Sequence, residues 1–468
     1  MSTPPPHKNS YTDFIGLEVE VPLIDGTQRR YINFDNAAST PSLKSVKNAV
    51  NQFLDYYSSV HRGTGFKSQL STYAYELARK TVMEFVGANP ETHTCIFGKN
   101  ASEGLNKLAR RFPFTPDRDI ILSSGMEHHS NDLPWRMAAR TIHINILPDG
   151  SLDLADFDAK LAEFGNRIAL VALTAASNVT GFINPVHALS EKVHAVGAQI
   201  VVDVAQFAPH RKVDMRDLDD PGHIDYIALS AHKMYAPFGT GALIGRRDTF
   251  ERGDPDQVGG GTVEIVTLED ATWAGPPDRD EVGSPNVVGA VALGAAIQFL
   301  NEVGMEAVAQ HEAALTAYLL RRLGELPKLR VYGDSDPSCA SERLGVVPIL
   351  FEGLSHFLVA AILANEYGIG VRNGCFCAHP YLLRLLNIGK DDATTIREQI
   401  ENGDRSNMPG LIRISFGLYN TIEEIDILIH ALGDISSGKY QGTYTQDITT
   451  GEYHPTNWKP EFSHYFNY

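Results

Sequence analysis

The chain has 468 residues, of which 43% are hydrophobic and 21% are charged. This is an ordinary globular composition, and the length predicts at least two domains. The net charge of −17 argues against a nucleic-acid partner or an anionic membrane surface, since both require basic patches. No apolar stretch approaches the roughly 20 residues of a membrane-spanning helix, and residues 1–10 lack the apolar core of a signal peptide. We therefore expect a cytoplasmic protein.

The chain has few cysteines for its length: Cys95, Cys339, Cys375 and Cys377. So small a number does not form a disulfide framework. In a reducing compartment, the close pair Cys375 and Cys377 is expected to be chemical or metal-binding. Two further ligands at metal spacing are not evident, so we predict no bound metal.

Helical patterns alternate with apolar runs that predict strands. The first helices are expected over about 43–57 and 71–87. The apolar runs are 94–97, 119–122, 142–147, 168–173, 199–202, 226–229 and 242–245. Near-continuous apolar strands belong to parallel sheets that are buried on both faces. The pattern predicts an α/β protein with a mostly parallel central sheet.

The second half of the chain has a different pattern. Two long helices, over about 287–302 and 304–326, come before strands at 346–351, 369–372 and 411–415. We predict an N-terminal segment (1–30) that joins a small domain, a large cofactor-binding domain (31–295), the small α/β domain (296–436) and a tail (437–468). The tail is rich in aromatic residues, whereas disordered segments are poor in them. We expect it to dock on its own or a neighbouring subunit; binding of another partner is the alternative.

The predicted strands end in small and polar residues. These are Ser102, His128, Asn178, Asp203 with Gln206, and Ser230 with Lys233. In open α/β sheets, ligands bind outside the carboxyl ends of the strands. The turn at 98–104 also opens a helix, whose free N–H groups and dipole favour an anion. It is not a Walker motif, because no Gly-Lys-Ser/Thr follows.

Lys233 at the end of a buried strand needs an explanation, because desolvating an ammonium is costly unless it is paired or neutralised. Lysine forms imines with carbonyl substrates and with pyridoxal phosphate (PLP). The alternative is a loop lysine whose amine reaches solvent. Asp203 could keep a pyridinium nitrogen protonated, as PLP chemistry requires. His128 could stack on an aromatic ring or be an ordinary hydrogen-bonded buried histidine.

Seven motifs occur in a familiar order over about residues 30–435. They are Asp35-Asn-Ala-Ala-Ser-Thr40, Glu127-His-His-Ser-Asn131, Ser177-Asn-Val-Thr-Gly181, Asp203-Val-Ala-Gln206, Ser230-Ala-His-Lys233, Gly259-Gly-Gly261 and Arg413-Ile-Ser-Phe-Gly-Leu-Tyr-Asn-Thr421. Together they resemble the class V aminotransferase group of fold-type I PLP enzymes, most of all the cysteine desulfurases and selenocysteine lyases. The resemblance implies bound PLP and a homodimer whose active site is shared between subunits.

The resemblance also implies a role for each matching position around the cofactor ring. Lys233 would hold PLP covalently, His128 would stack on the ring and Asp203 would pair with its nitrogen. Asn178 and Gln206 would lie beside the phenolic oxygen.

The phosphate and the substrate are assigned in the same way. The resemblance implies a phosphate site formed by Ser102, Ser230, His232 and amides near Ala101. Thr262 would reach the phosphate of the other subunit. Asn36 and Arg413 would contact an amino-acid substrate, and Arg413 suits bidentate pairing with its carboxylate.

The loop from Arg372 to Pro380, which reads RNGCFCAHP, is expected to determine the reaction. Desulfurases carry their nucleophilic cysteine here, followed by alanine and then proline, and Cys377 matches that position. The resemblance implies that the Cys377 thiolate takes the sulfur of cysteine as a persulfide and leaves alanine. Desulfurases usually have histidine where Cys375 stands, and this loop is more like that of molybdenum-cofactor sulfurases. Cys375 would resolve the persulfide or be an inert neighbour.

The leading hypothesis is a PLP-dependent cysteine desulfurase acting on L-cysteine or a related sulfur or selenium amino acid, with a protein or small-molecule sulfur acceptor. The alternative is a C–S lyase, aminotransferase or epimerase of the same fold without a cysteine nucleophile. A binding protein with a decayed site is disfavoured, because Lys233, Asp203, His128 and Arg413 occur together. The segment 381–410 is longer than the family pattern predicts, and the sequence assigns it no role.

Overall fold

The computed structural model describes residues 13–468, so part of the predicted N-terminal segment, residues 1–12, lies outside it. The elements before the central sheet are β1 (Glu20–Pro22), β2 (Gln28–Arg30), β3 (Ile32–Asn33), α1 (Lys44–Leu54) and α2 (Phe66–Phe85). Helix α2 begins five residues before its predicted start at 71. Gly65 is its N-cap residue and has extended backbone, and Phe66 is the first helical residue.

The central sheet has seven strands. They are β4 (His93–Gly98), β5 (Ile120–Ser124), β6 (Arg140–Ile144), β7 (Ile168–Thr174), β8 (Gln199–Asp203), β9 (Tyr226–Ser230) and β10 (Gly241–Arg246). Their order is β4-β10-β9-β8-β7-β5-β6. The pairs among β5 to β9 are parallel, whereas β10 runs antiparallel to both of its neighbours. The predicted α/β class and mostly parallel sheet are confirmed.

Helices connect these strands and cover the sheet. They are α3 (Ala101–Arg111), α4 (Leu133–Ala138), α5 (Leu154–Phe164), α6 (Val186–Ala195) and α7 (Arg247–Glu251). Every residue of β7 is buried, as expected for a strand covered on both faces. Helix α4 was not predicted, because six residues are too few to show a helical period.

A small hairpin and two long helices follow the sheet. They are β11 (Val263–Val266), β12 (Ala271–Trp273), α8 (Val287–Val303) and α9 (Met305–Leu323). Helix α8 packs against α1 and α2. Within residues 13–468, no single helix is long and apolar enough to cross a membrane; α8 and α9 reach the required length and composition only as a pair, which is bent by 76°.

A second, antiparallel sheet has the order β13-β14-β17-β16. The elements of this region are β13 (Leu329–Val331), β14 (Val346–Phe351), α10 (His356–Tyr367), β15 (Ile369–Gly370), β16 (Arg372–Gly374), α11 (His379–Leu385), α12 (Lys390–Glu401), β17 (Leu411–Ser415) and α13 (Ile422–Ser436). The predicted strand 369–372 is in fact two strands. Strand β15 pairs in parallel with β3, and β16 pairs with β17, because the chain changes partner at Val371.

The tail, residues 437–468, carries the hairpin of β18 (Tyr444–Gln446) and β19 (Tyr453–Pro455). The hairpin lies against α10, and the Tyr444 hydroxyl donates to Glu366 Oε1 at 3.0 Å. The hairpin therefore docks on its own subunit, whereas the aromatic side chains of Phe462, Tyr465, Phe466 and Tyr468 are exposed. Separate apolar clusters lie under the two sheets, and we propose that the division into four segments predicted from the sequence describes the chain.

Candidate active site

A cavity of about 600 Å³ opens at the carboxyl ends of the central strands. It is lined by all but two of the residues that the sequence assigned to the site: Ala101, Ser102, His128, Asn178, Asp203, Gln206, Ser230, His232, Lys233, Cys377 and Arg413. A second groove, of about 750 Å³, shares none of these residues and is lined largely by charged side chains. The fold therefore brings together groups that are up to 312 positions apart in the sequence, from Ala101 to Arg413.

Lys233 lies on a single 3-10 turn, Ala231–Lys233, directly after β9. Its amine lies 3.4 Å from Gln206 Oε1. Burial lowers the pKa of Lys233 to about 8, although the nearby Asp203 carboxylate opposes the shift. At pH 7, about a tenth of this amine is therefore unprotonated and able to attack a carbonyl group, far more than for an ordinary lysine.

Asp203 ends β8 and is buried. Its Oδ1 accepts the Ala205 main-chain N–H at 2.9 Å, whereas Oδ2 accepts no hydrogen bond from residues 13–468. Burial raises the pKa of this carboxyl. An N–H⁺ donor that entered the cavity would compensate for the lost solvation, so Asp203 is suited to a protonated ring nitrogen.

His128 is held with one ring nitrogen occupied. Its Nδ1 accepts the Ser130 main-chain N–H at 3.1 Å, so the ring hydrogen lies on Nε2. Burial, together with the charge of Lys233, lowers the pKa of His128 to about 3. A neutral ring with a fixed orientation is suited to stacking on an aromatic cofactor.

Glu127 is a buried residue to which the sequence analysis assigned no role. Its carboxyl accepts hydrogen bonds from the Asn131 amide at 2.7 Å, from the Thr174 main-chain N–H at 3.0 Å and from the Ser124 hydroxyl. Burial raises its pKa to about 8. Glu127 ties the His128 turn to β7, and its position next to His128 was the only signal in the sequence.

The N-terminus of α3 forms a polar cup. The Asn100 side chain accepts the Glu103 main-chain N–H at 3.0 Å. The Ala101 main-chain N–H donates to Ser230 Oγ at 2.9 Å, and the hydroxyl oxygens of Ser102 and Ser130 are 2.5 Å apart. The helix dipole adds positive potential, so this corner of the cavity is suited to a phosphate group.

Arg413 projects from β17 and its side chain is only 3% exposed. Its Nη1 donates to the Asn178 carbonyl oxygen at 2.9 Å, and its Nη2 lies 3.2 Å from Asp35 Oδ1. The Nε atom is buried and has no partner among residues 13–468. Burial lowers the pKa of Arg413 to about 10, so the guanidinium stays charged at neutral pH. Asp35, which also contacts Arg372 at 3.1 Å, was not predicted as a site residue.

Two predicted site residues do not line this cavity. The buried Asn36 amide donates to the carbonyl oxygens of Asn33 and Ser415, each at 3.1 Å, and Asn36 Oδ1 accepts the Tyr419 hydroxyl at 2.6 Å. The Asn36 side chain thus uses its hydrogen bonds to hold the motif at residues 35–40 in place. The structure does not place Asn36 in the cavity where a substrate would bind. Thr262 donates to the Gly259 carbonyl oxygen at 2.8 Å; its predicted contact with a second subunit remains a prediction.

The cysteine loop forms the opposite wall. Cys377 is exposed and Cys375 is half-buried. The Asn178 side-chain amide, predicted to lie beside a cofactor oxygen, donates to the Phe376 carbonyl oxygen at 2.8 Å. The His129 main-chain N–H donates to the Cys377 carbonyl oxygen at 2.7 Å. The loop is therefore fixed to the strand ends that carry the other site residues.

The tail and the long segment 381–410 also reach the cavity, which the sequence did not indicate. Met408 from that segment lines it together with Thr450 and Glu452 from the tail hairpin. The Arg405 main-chain N–H donates to the Ile448 carbonyl oxygen at 2.8 Å, so the two segments hold each other.

The sheet and the strand-end groups define a fold-type I α/β enzyme. The family model for Aminotransferase class-V matches residues 32–428, and the chain belongs to this family. A probable cysteine desulfurase of Streptomyces coelicolor is 36% identical over 435 residues, which are 90% of this chain and 96% of the relative. A cysteine desulfurase of Serratia proteamaculans is 34% identical over 421 residues, covering 87% and 94%.

Solved structures agree with this assignment. The apo structure of a cysteine desulfurase from Thermococcus onnurineus has a TM-score of 0.76 at 33% identity, covering 87% of this chain and 95% of that chain. The S-sulfonic acid form of the Escherichia coli cysteine desulfurase CsdA has a TM-score of 0.75 at 27% identity, covering 94% and 100%. The predicted family and fold are confirmed. The tail lies beyond the residues that the family model matches.

Proposed function

We propose that this protein is a PLP-dependent cysteine desulfurase, which removes sulfur from L-cysteine or a related sulfur or selenium amino acid and leaves alanine. One observation carries the proposal. The amine of Lys233, the guanidinium of Arg413 and the exposed Cys377 line a single cavity. The likeness to proteins named cysteine desulfurases supports it.

The residues of the cavity fit PLP. Lys233 offers an amine that burial keeps partly neutral, and Asp203 offers a buried carboxylate oxygen to the ring nitrogen. Ser102, Ser230 and the start of α3 would hold the phosphate. The Nε2 of Gln206 is buried without a partner in the described part of the chain, so an acceptor such as the phenolic oxygen would satisfy it.

When bound, PLP supplies the electron sink that weakens bonds at the α- and β-carbons of an amino acid. The chain's own residues orient the substrate and move its protons. Arg413 would bind the α-carboxylate through its unpartnered Nε side, and Asp35 holds the guanidinium in place. Lys233, whose amine would hold the cofactor, would also serve as the base that moves protons at the substrate carbons.

Cys377 would act as the sulfur-accepting nucleophile. Its thiolate attacks the substrate sulfur; a new S–S bond forms as the C–S bond of the substrate breaks, and the carbon skeleton takes up a proton and leaves as alanine. Exposure of Cys377 leaves its outer side open to a protein or small-molecule acceptor.

We also propose a homodimer with a shared site. The loop at Thr262 continues into the β11–β12 hairpin, which exposes apolar side chains, and Leu268 is fully exposed. Neighbouring Val258, Ile265 and Val266 are also exposed. Apolar patches of this kind mark protein interfaces. A cytoplasmic location is supported by four free thiols, which persist in reducing compartments.

The test compares Cys377→Ala with the matched variant Cys339→Ala, which removes a thiol outside the cavity. Both variants should acquire the absorbance of bound PLP. Sulfide and alanine formation from L-cysteine with a thiol reductant should be lost in Cys377→Ala and kept in Cys339→Ala. Full activity in Cys377→Ala would favour a direct C–S lyase, and keto-acid products would favour an aminotransferase. A wild-type protein that takes up no PLP would overturn the proposal altogether.

A further inference from the structure

A tight turn presents both cysteines of the loop to the cavity. The Ala378 main-chain N–H donates to the Cys375 carbonyl oxygen at 3.0 Å, and Phe376 and Cys377 between them both have φ of 54°. Left-handed backbone is unfavourable for a non-glycine residue. Two such residues in succession persist only where the surroundings enforce them. Here Phe376 is buried against the Arg413 guanidinium, whose Cζ lies 4.8 Å from the ring centroid.

Cys375 is in contact with a base. Its Sγ lies 2.9 Å from His379 Nε2, the nearer ring nitrogen, and 3.6 Å from Nδ1. Burial raises the pKa of the Cys375 thiol, so at neutral pH this thiol keeps its proton and needs a base in contact to become a nucleophile. Burial also lowers the pKa of His379, so the imidazole is neutral and has a ring nitrogen free to accept a proton. Both pKa shifts oppose the transfer, so it is the direct contact that makes His379 the base for Cys375.

His129 determines which nitrogen of His379 is the basic one. The His129 Nε2 lies 3.3 Å from the main-chain nitrogen of His379 and 3.1 Å from its Nδ1. A main-chain N–H can only donate, so His129 Nε2 is an acceptor. The Nδ1 of His379 must therefore carry the ring hydrogen, and the Nε2 that faces Cys375 is the proton acceptor.

A thiol, a base and a group that orients the base form the arrangement of an activated nucleophile. An inert cysteine would not require this tautomer chain, which joins α11 to the turn after His128. We propose that Cys375 is a second sulfur-carrying nucleophile, activated by His379 and positioned through His129, and that it receives the sulfur from Cys377. The inference rests on the proposed desulfurase function and concerns its second half, in which sulfur leaves the enzyme.

The transfer balances without an oxidant or reductant. The Cys375 proton moves to His379 Nε2, and the resulting thiolate attacks the outer sulfur of the Cys377 persulfide. A new S–S bond forms on Cys375 as the bond between the two sulfurs on Cys377 breaks, and Cys377 leaves as a thiolate. Repetition of this exchange with an external thiol passes the sulfur on and returns Cys375 to its starting state.

The relay is tested on the full-length holoenzyme with three variants: Cys375→Ser, His379→Gln and the control Cys339→Ser. Alanine formed in the first turnover and sulfide released at steady state with a thiol acceptor are measured separately. We expect the steady-state rate of Cys375→Ser and His379→Gln to fall about 100-fold, the lower end of what a positioned general base contributes. The amount of alanine formed in the first turnover should stay the same while the steady-state rate falls. The ratio of the two should therefore rise, because only the second half of the reaction, in which sulfur leaves the enzyme, is impaired.

The position of the sulfur is a second readout that a structural role of Cys375 would not change. After one turnover without acceptor, the peptide 373–384 is analysed by tandem mass spectrometry. The extra sulfur atom should be found on both cysteines of the wild type and on Cys377 alone in His379→Gln. Sulfur on Cys377 alone in the wild type, or an unchanged steady-state rate in Cys375→Ser, would overturn the relay.

Failure of the relay is distinguishable from failure of the proposed function. If Cys377→Ala still releases sulfide, the desulfurase function itself is wrong. If Cys377→Ala is inactive while Cys375→Ser and His379→Gln turn over like the wild type, only the relay is wrong, and the Cys375 thiol is merely a hydrogen-bond partner of His379.

Discussion

The two walls of the cavity are built in different ways. The cofactor wall (Ser102, His128, Asp203, Ser230 and Lys233) stands on strand ends of the central sheet and on the start of α3. The cysteine wall (Cys375, Phe376, Cys377, Thr450 and Glu452) stands on a strained turn that leads into a short helix, and on the tail hairpin. The first is held by a sheet that is buried on both faces, and the second by contacts between loops.

This difference separates two kinds of chemistry. Burial on the cofactor wall shifts the pKa values of Lys233, Asp203 and His128, which suits binding and proton transfer. The cysteine wall carries two thiols, of which Cys377 is exposed and Cys375 is half-buried, and this suits sulfur transfer. The tail that contributes to this wall lies beyond the family match at 32–428.

The largest expected effect lies on the cofactor wall. Lys233→Ala removes the amine that we propose as the anchor of the cofactor and as the base near the substrate, so we expect activity to fall by about 10,000-fold, the upper end for a general base. The variant should also lack the absorbance change that the wild-type apoprotein shows when it is mixed with PLP. Lys212→Ala, at an exposed lysine, is the control. Substantial turnover in Lys233→Ala would refute the assignment of this wall.

Arg413 joins the two walls, and its removal should have the next largest effect. Arg413→Gln is expected to lower kcat/KM for L-cysteine by roughly 100- to 1,000-fold, because truncating one partner of a buried charge pair costs about 3–4 kcal/mol. The control is Arg372→Gln, which contacts the same Asp35 but is 51% exposed. Its effect should stay below about tenfold. Equal effects in the two variants would contradict a specific substrate contact at Arg413.

The lowered pKa of Lys233, about 8, predicts how cofactor capture depends on pH. Below this pKa the amine is protonated and unreactive, so the rate of PLP uptake by apoprotein should rise about tenfold per pH unit and level off above about pH 8. Stopped-flow absorbance measures it. Asp203→Asn removes the charge that favours the ammonium and should move the plateau to lower pH. A rise that continues to pH 10 would indicate an ordinary, solvated lysine.

The smallest effect concerns the docked tail. Gly451 has φ of 79°, and a Cβ there would lie 2.6 Å from the Arg405 carbonyl oxygen; Gly438 has φ of 69° with open space around it. Both alanine variants carry the left-handed strain, but only Gly451→Ala disturbs the docking. We expect Gly451→Ala to lower the free energy of unfolding by about 1–3 kcal/mol more than Gly438→Ala, measured by denaturant titration. Equal losses would mean that the hairpin is not a firm part of the cysteine wall.

Much of the cofactor wall could be predicted because strand ends are local features. Apolar runs predict strands, and the polar residues that follow them, such as Asp203 and Lys233, must meet at one edge of a parallel sheet. Asn36 illustrates the limit. It belongs to a recognisable motif, yet its amide is used by Asn33, Ser415 and Tyr419, and no local pattern reveals which side chain of a turn faces inward.

The sequence by itself determined the fold class, the family and most of the residues that line the cavity, because these depend on periodicity and on motifs of a few residues. Only the tertiary structure brought His129 and His379 together, 250 positions apart, and so gave Cys375 a base with a defined tautomer. Only the tertiary structure placed Thr450 and Glu452 of the tail at the cavity. Such contacts arise from the packing of distant segments. Neither the hydrophobic periodicity nor the residue spacing of the sequence predicts them.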